Sequence, residues 1–179
     1  MKLDRETPFK DQIDSVSIER IEQVLMLLDS LKIDHRIWFH PPLPTIEAAM
    51  DYWKDLPGTH CKNLFFRNHK GNRHYLVIME CHQVMNIYGL EQTLKQGKLT
   101  FASPERMKKY LGVDPGSVTP FGLINDPDKH VTLFIDETLK NSEYLSFHPN
   151  DNRATIIISR ADLIRFIEYC GNEYHFFKV

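Results

Sequence analysis

The chain has 179 residues, 42% of them hydrophobic and 26% charged, with a formal net charge of −2. That length buries a core without staples, so one domain is the default, and the weak acidic balance does not mark a general nucleic-acid binder. No apolar run approaches the roughly 20 residues that span a bilayer, the polar start argues against a signal peptide, and three cysteines without a CxxC spacing fit reduced thiols in a cytoplasm.

Residues 1–16 are polar and mixed in charge, which reads as a lead-in to a domain spanning 17–179. From Ser17, a candidate cap, Ile18, Ile21, Val24, Leu25, Leu28 and Leu31 recur at helical spacing. Residues 34–40 read as a short strand, stopped by Pro41, Pro42 and Pro44, which cannot donate to a ladder. Thr45 then caps an expected helix over 46–56, ended by Pro57 and Gly58. Residues 60–81 read as a β-hairpin around the turn at 68–72, with 76–79 apolar without alternation and so buried on both faces.

A helical turn over 90–96 closes at Gly97, and Ser103-Pro104 starts a helix that ends at Gly112. After the loop at 114–125 come a strand at 131–135, a helical stretch at 137–144, a turn at 146–150 and a buried strand at 154–159. A helix over 162–170 stops at Gly171, and 174–179 is a terminal strand. This order gives a mixed α/β (α+β) class with a mixed sheet in one domain.

The loop at 114–125 holds two prolines and two glycines beside Val118, Phe121, Leu123 and Ile124. It is too punctuated for a helix and too apolar for a solvated linker. A rigid loop that presents backbone N–H groups to a small polar ligand is one reading, with Gly116 allowing close approach and Pro120 fixing the exit. An ordinary helix-to-strand connection is the other.

Charge is unevenly placed. Residues 56–79 contain no acid but do contain Lys62, Arg67, Lys70 and Arg73, while 92–112 carry Lys95, Lys98, Arg106, Lys108 and Lys109 against Glu105 alone. Two basic zones on a weakly acidic protein fit a phosphate-bearing partner, and equally a solvated hairpin and helix face. Lys62 begins an apolar strand, where its ammonium serves as a point charge or merely as a solubilising end, and Asn63 beside it offers a donor and an acceptor. His148, followed by Pro149, is pushed out of helical conformation and left free to project, as an acid/base or as part of a turn closed by Asn150.

No metal is expected. A hairpin would bring His60-Cys61 near Cys81-His82, but neighbours on a strand point to opposite faces, so only two of the four converge. Gly-x-Ser-x-Gly, Walker and Gly-x-Gly-x-x-Gly patterns are absent, and the three cysteines lie in apolar surroundings that suppress thiolate.

The runs Cys61-Lys62-Asn63-Leu64-Phe65-Phe66-Arg67, Gly71 to Val77, Leu99 to Arg106, Leu111 to Asn125, Phe147-His148-Pro149-Asn150 and Gly171-Asn172-Glu173 resemble the YbaK/prolyl-tRNA-synthetase-associated-domain family. In detail the chain is similar to the freestanding branch that deacylates alanyl-tRNA(Pro). The resemblance covers nearly the whole chain from about Ser17, with its elements in order. It implies a single mixed α/β domain around a curved sheet flanked by helices, and a trans-editing hydrolase that removes alanine mischarged onto prolyl tRNA. A synthetase pocket sized for proline cannot firmly exclude a smaller residue.

Carried over, Lys62 holds the tRNA 3′ end, with Asn63 as its neighbour. Gly116, Ser117, Val118, Thr119 and Pro120 form the loop that grips the aminoacyl carbonyl, and His148 is the histidine of the alanine branch, beside Asn150. Phe121, Gly122 and Leu123 are expected to help shape the pocket. Arg67, Lys70, Arg73, Lys108 and Lys109 are candidates for acceptor-stem phosphates. The resemblance implies no cofactor. The implied partner is the aminoacylated acceptor end of tRNA(Pro), with prolyl-tRNA synthetase as a further candidate, and neither membrane nor DNA. An ester has a fair leaving group, so positioning and an oxyanion cradle suffice, and recruitment of the terminal ribose hydroxyl would make His148 a positioning group. Two alternatives stay open: a sister specificity for cysteinyl-tRNA(Pro) or another small aminoacyl-tRNA, and a catalytically silent module that binds tRNA or synthetase.

Overall fold

The computed structural model describes residues 9–43 and 45–178, so Pro44, Val179 and most of the expected polar lead-in lie outside the described residues. A 3₁₀ turn, Lys10–Gln12, precedes helix α1, Ser15–Ser30. The cap is Asp14 rather than Ser17: its carboxylate accepts from both Ser17 N and Ser17 Oγ, which moves the start three residues earlier than the apolar periodicity shows. Strand β1 is His35–Phe39, and α2 is Ile46–Trp53, capped by Thr45 as its position predicts but ending short of Leu56.

Strands β2, Thr59–Arg67, and β3, His74–Glu80, form the hairpin. From Leu76 to Met79 every residue is fully buried, in agreement with the unalternating run. Helix α3, Ile87–Leu94, is capped by Asn86 and ends at Lys95 in left-handed conformation, ahead of Gly97. A two-residue strand, β4 (Thr100–Phe101), leads into α4, Pro104–Leu111. The second half of the expected loop is itself ordered as a 3₁₀ helix, Pro120–Asn125.

Strand β5 is Val131–Asp136. The expected helical stretch after it is only a 3₁₀ turn, Glu137–Asn141, and Tyr144–Phe147 is strand β6. Tyr144, Ser146 and Phe147 are thus in a sheet, because parallel pairing with β2 and antiparallel pairing with β7, Ala154–Ser159, override their local pattern. Helix α5, Arg160–Cys170, starts at the Ser159 cap, and β8 is Tyr174–Phe177.

The strands make one mixed sheet in the order β1-β7-β6-β2-β3-β5-β8, with β4 also on β2. One face carries Phe65, Leu76, Ile78, Leu133, Ile135, Ile156 and Ile158 against Val24 and Leu28 of α1, Leu111 of α4, Phe121 and Leu123 of the 3₁₀ helix and Phe166 of α5. The opposite face packs Phe66, Tyr75, Val77, Met79 and Phe134 against Leu90 and Leu99. A small separate cluster of Leu43, Ala49, Trp53 and Cys81, with Leu56, anchors α2.

Strand β2 is the pivot. One of its edges pairs with β3 from Cys61 to Arg67. The other is divided: Thr59 and His60 run beside Leu145 and Ser146 of β6, while Phe66 and Arg67 pair with Phe101 and Thr100 of β4. Ala102 N closes onto Phe65 O at 2.8 Å. Between these neighbours, residues 62–64 face no strand on that side among the described residues, and the sheet splits.

Candidate active site

The split opens into a cavity of about 420 Å³. Its walls include Lys62, Asn63 and Leu64 of β2, Gly116 and Val118 of the central loop, His148 after β6, Leu43 and Trp53 around α2, and Phe101 and Met107 at the α4 side. A second cavity, about 330 Å³ and lined by Asp29, Asp34 and Arg36, contains none of the expected site residues. Charge alone does not make it a reaction site, whereas Lys62, Asn63, Gly116, Val118 and His148 all gather at the split.

Cys81 N donates to His60 O at 2.9 Å, so even-numbered β2 peptide groups point to β3 and those of Asn63 point into the split. Asn63 Oδ1 is buried and has no hydrogen-bond partner among the described residues. An unpaired buried acceptor is costly, and it stands where a ligand donor can satisfy it. Lys62, on the other face of the strand, donates its ammonium to Cys81 O at 3.0 Å and to Gln83 O. Both acceptors are neutral carbonyls, so the positive charge is positioned without being neutralised by a carboxylate.

His148 Nδ1 lies 2.8 Å from Ala154 O. A carbonyl only accepts, so the proton sits on Nδ1 and Nε2 keeps its lone pair. Burial pushes the imidazole below its ordinary range, which favours this neutral form. The same logic applies to two neighbours, His40, which the sequence reading passed over, and His60, which it weighed only as a metal ligand. His40 donates from Nδ1 to Pro41 O at 2.9 Å and accepts from Thr155 Oγ1 at 2.8 Å; burial pulls it down to about 4. His60 donates from Nε2 to Trp53 O at 3.0 Å and accepts from Ser146 Oγ at 2.7 Å, and burial lowers it too. Trp53 stacks on His60 with centroids 4.9 Å apart and lies 6.4 Å from His148. The result is an uncharged aromatic end wall. Thr45 signalled the start of α2, but nothing local indicates that Trp53 turns toward His148.

The central loop begins with a tight turn, Ser117 N donating to Asp114 O at 3.0 Å, with Gly116 at φ 84°. That angle suits glycine at the third position of such a turn. The Ser117 N–H is therefore used within the loop, and Pro120 has none, which narrows the expected set of backbone donors. Asp114 is tied to Arg20 of α1 at 2.6 Å and lies 3.8 Å from Lys108 of α4, so two helices hold the turn. Of the loop residues, Gly116 and Val118 face the cavity. Ser117 and Thr119 are buried, with Thr119 Oγ1 capping the 3₁₀ helix.

Phe121, Gly122 and Leu123 do not line the cavity. They lie in the core beneath it, Phe121 edge-on to Phe147 and Phe166, because an apolar 3₁₀ turn packs best against α4 and α5. Asn150 is also buried, in left-handed conformation at φ 61°, with its Oδ1 unpaired among the described residues. It shapes the turn after His148 rather than the cavity wall.

The two basic zones meet. Arg106 of α4 donates to Gly71 O at 2.7 Å and to His74 Nε2 at 2.8 Å, which joins the hairpin tip to the helix. His74 then donates from Nδ1 to His130 Nε2 at 2.8 Å. Around this tie, Lys70, Arg73, Lys108 and Lys109 are exposed, while Arg67 caps the carbonyls of Asn68 and His69.

Cys61, Cys81 and Cys170 are buried and unbonded to one another, and burial raises all three thiols, Cys81 and Cys170 to about 11. None is a poised thiolate. Glu80, Cys81 and His82 bring potential metal-ligand atoms within 4.8 Å of one another, but beside the carbonyls that hold Lys62 and not in the cavity. Among the described residues no helix is long and apolar enough to cross a membrane.

Residues 40–166 match the profile of the aminoacyl-tRNA editing domain. The chain is 36% identical over 153 residues to the prolyl-tRNA editing protein ProX of Acetoanaerobium sticklandii, covering 86% of this chain and 93% of that one. It is 32% identical over 150 residues to the prolyl-tRNA synthetase associated domain-containing protein 1 of Mus musculus, 82% of this chain and 88% of that one. A crystal structure of a candidate trans-editing enzyme for prolyl tRNA synthetase superposes with a TM-score of 0.69 at 21% identity, over 93% of this chain and 99% of the other, a likeness of fold.

Proposed function

The chain belongs to the aminoacyl-tRNA editing domain family, and from that premise we propose that it is a trans-editing deacylase that hydrolyses the ester of alanine mischarged onto tRNA(Pro). The observation that carries the proposal is the split edge of β2. There, among the described residues, an ammonium answered by two carbonyls, an unpaired amide oxygen and a neutral imidazole with its Nε2 lone pair border one apolar cavity.

In this reading the Lys62 charge holds the phosphate or ribose side of the 3′ end, and the substrate's α-ammonium finds its acceptor in Asn63 Oδ1. Backbone at Gly116 and Val118 approaches the acyl carbonyl, where donors stabilise the oxyanion. Water adds to the acyl carbon, the bond to the ribose oxygen breaks, and that oxygen departs with a proton. His148 Nε2 orients the attacking water or the free ribose hydroxyl beside it. The walls formed by Leu43, Trp53, Leu64 and Val118 suit a small aliphatic side chain. The exposed lysines and arginines beside Arg106 receive acceptor-stem phosphates. The protein acts in the cytoplasm, on released aminoacyl-tRNA or beside prolyl-tRNA synthetase.

The test is release of amino acid from alanyl-, prolyl- and cysteinyl-tRNA(Pro) by the purified protein. Loss of alanine alone supports the full proposal. Loss of cysteine leaves the site and changes its specificity. No release from any of the three sinks the hydrolase reading in favour of a binding module.

A further inference from the structure

At the α4 end of the cavity one side chain has no role in the chemistry above. Phe101 forms β4 with Thr100, and its ring stacks on that of Phe66 at 4.7 Å and 27°. Phe66 is fully buried, yet Phe101 is 60% exposed. One face of the ring is therefore backed by the core and the other is open to solvent. A large apolar side chain left open at a cavity mouth calls for an explanation when its surroundings are specific.

The surroundings are specific here. Phe101 lines the same cavity as Lys62 and His148. Its cross-strand partner Phe66 is four residues from Lys62 on the same face of β2, about 13 Å along the strand. That is the scale of a nucleoside reaching from its base, across the ribose, to an acyl group. Beyond Phe101, Thr100 pairs with Arg67, and Met107 of the basic helix α4 forms the adjoining wall. An open aromatic face between a reaction cavity and a cationic surface is the arrangement that single-stranded nucleic acid uses: phosphates on the charges, bases on the rings.

We propose that the open face of Phe101 is a stacking platform for the nucleobase at the 3′ end of the bound tRNA, a role that rests on the deacylase reading. Phe66 beneath it makes the platform rigid, and the stack fixes how far the terminal ribose enters the split. Stacking is blind to hydrogen-bond pattern, so the platform accepts any base but needs a π-face.

The experiment pairs three variants, Phe101→Ala, Phe101→Leu and Phe101→Trp, with a tRNA(Pro) acceptor hairpin that carries 2-aminopurine as its 3′-terminal base. Wild type and Phe101→Trp are expected to quench the fluorophore on binding. Phe101→Leu, which keeps the apolar cover over Phe66 but has no ring, is expected to lose the quench. On alanyl-tRNA(Pro), Phe101→Leu and Phe101→Ala raise KM roughly 5- to 100-fold with kcat within a few-fold. Wild-type behaviour of Phe101→Leu in both assays would overturn the platform, since the ring would then be mere packing. If wild type quenches but no aminoacyl-tRNA is hydrolysed, the platform stands and the deacylase reading falls.

Discussion

His148 gives its Nδ1 proton to Ala154 O at 2.8 Å, and that one bond decides what the other nitrogen can do. The lone pair on Nε2 exists only while the ring is neutral, and burial keeps it neutral below the ordinary imidazole range. Hydrolysis of alanyl-tRNA(Pro) is therefore expected to hold steady from pH 8 down past pH 6.5 and to fall only under more acidic conditions. A kcat/KM profile that already halves at or above pH 6.5 would contradict this. His148→Ala is expected to lose roughly 100-fold or more in kcat, within the range of a general base or positioning group.

Lys62 is expected to be indispensable to turnover and dispensable to folding. Lys62 is half-buried and is held by two backbone carbonyls rather than by an ion pair, so Lys62→Ala is expected to leave the thermal midpoint within a few degrees. Activity is expected to drop by about 10²-fold or more, the cost of a misplaced 3′ end. Full turnover in that variant would remove Lys62 from the site.

Acid should loosen the fold through two buried imidazoles. Burial brings both His40 and His74 to about 4, His74 also being opposed by His130 and Arg106. Their folded values lie below the unfolded 6.5, so the unfolded chain binds more protons between those limits, and stability falls as pH drops from 6.5 toward 4. Each contributes at most about 3 kcal/mol. Urea midpoints at pH 7.0, 5.5 and 4.5 measure the slope, and His74→Gln is expected to flatten it.

Gly122 is a contact position rather than a flexible one. A Cβ there would stand 2.8 Å from Leu111 Cβ and 2.9 Å from Leu111 O. Gly122→Ala is expected to cost about 1–3 kcal/mol, as overpacking does. It should also lower turnover by shifting the loop that holds Gly116 and Val118. A denaturation midpoint equal to wild type would show that α4 moves aside freely.

The basic residues differ in what opposes them. Lys108 is 3.8 Å from Asp114, whereas Lys109 lies over the Tyr110 ring. Lys109→Gln is expected to reduce the slope of log affinity for tRNA against log salt by about one, and Lys108→Gln by less. Equal slopes for both variants and wild type would place the tRNA elsewhere.

How far the sequence reaches is clearest at β2. Its apolar run, the turn at 68–72 and the buried strand after it were legible because each is local, and the family motifs placed Lys62, Asn63, Gly116, Val118 and His148 in one cavity. What no window shows is that β6 and β4 divide one edge of β2 between them, since those partners are 86 and 35 residues away in register. The same blindness made Tyr144 and Ser146 read as helix and turn. It also placed Phe121 and Leu123 in the pocket: apolar residues beside a functional loop look alike whether they face a ligand or the core. Trp53 and His40 were missed, and His60 was weighed only as a metal ligand, because their convergence is a product of packing.

The wall that carries Trp53 and Leu43 is fastened by its own small cluster, apart from the two cores on the sheet. If the cavity receives the acyl group as proposed, selectivity and foldedness draw on different residues. On the proposed reading, Leu43 and Trp53 set the width of the chamber that takes the acyl group, and Ala49 packs behind them, apart from the scaffold under the split. The shared member Cys81, whose carbonyl also steadies Lys62, is the position where such remodelling meets its limit.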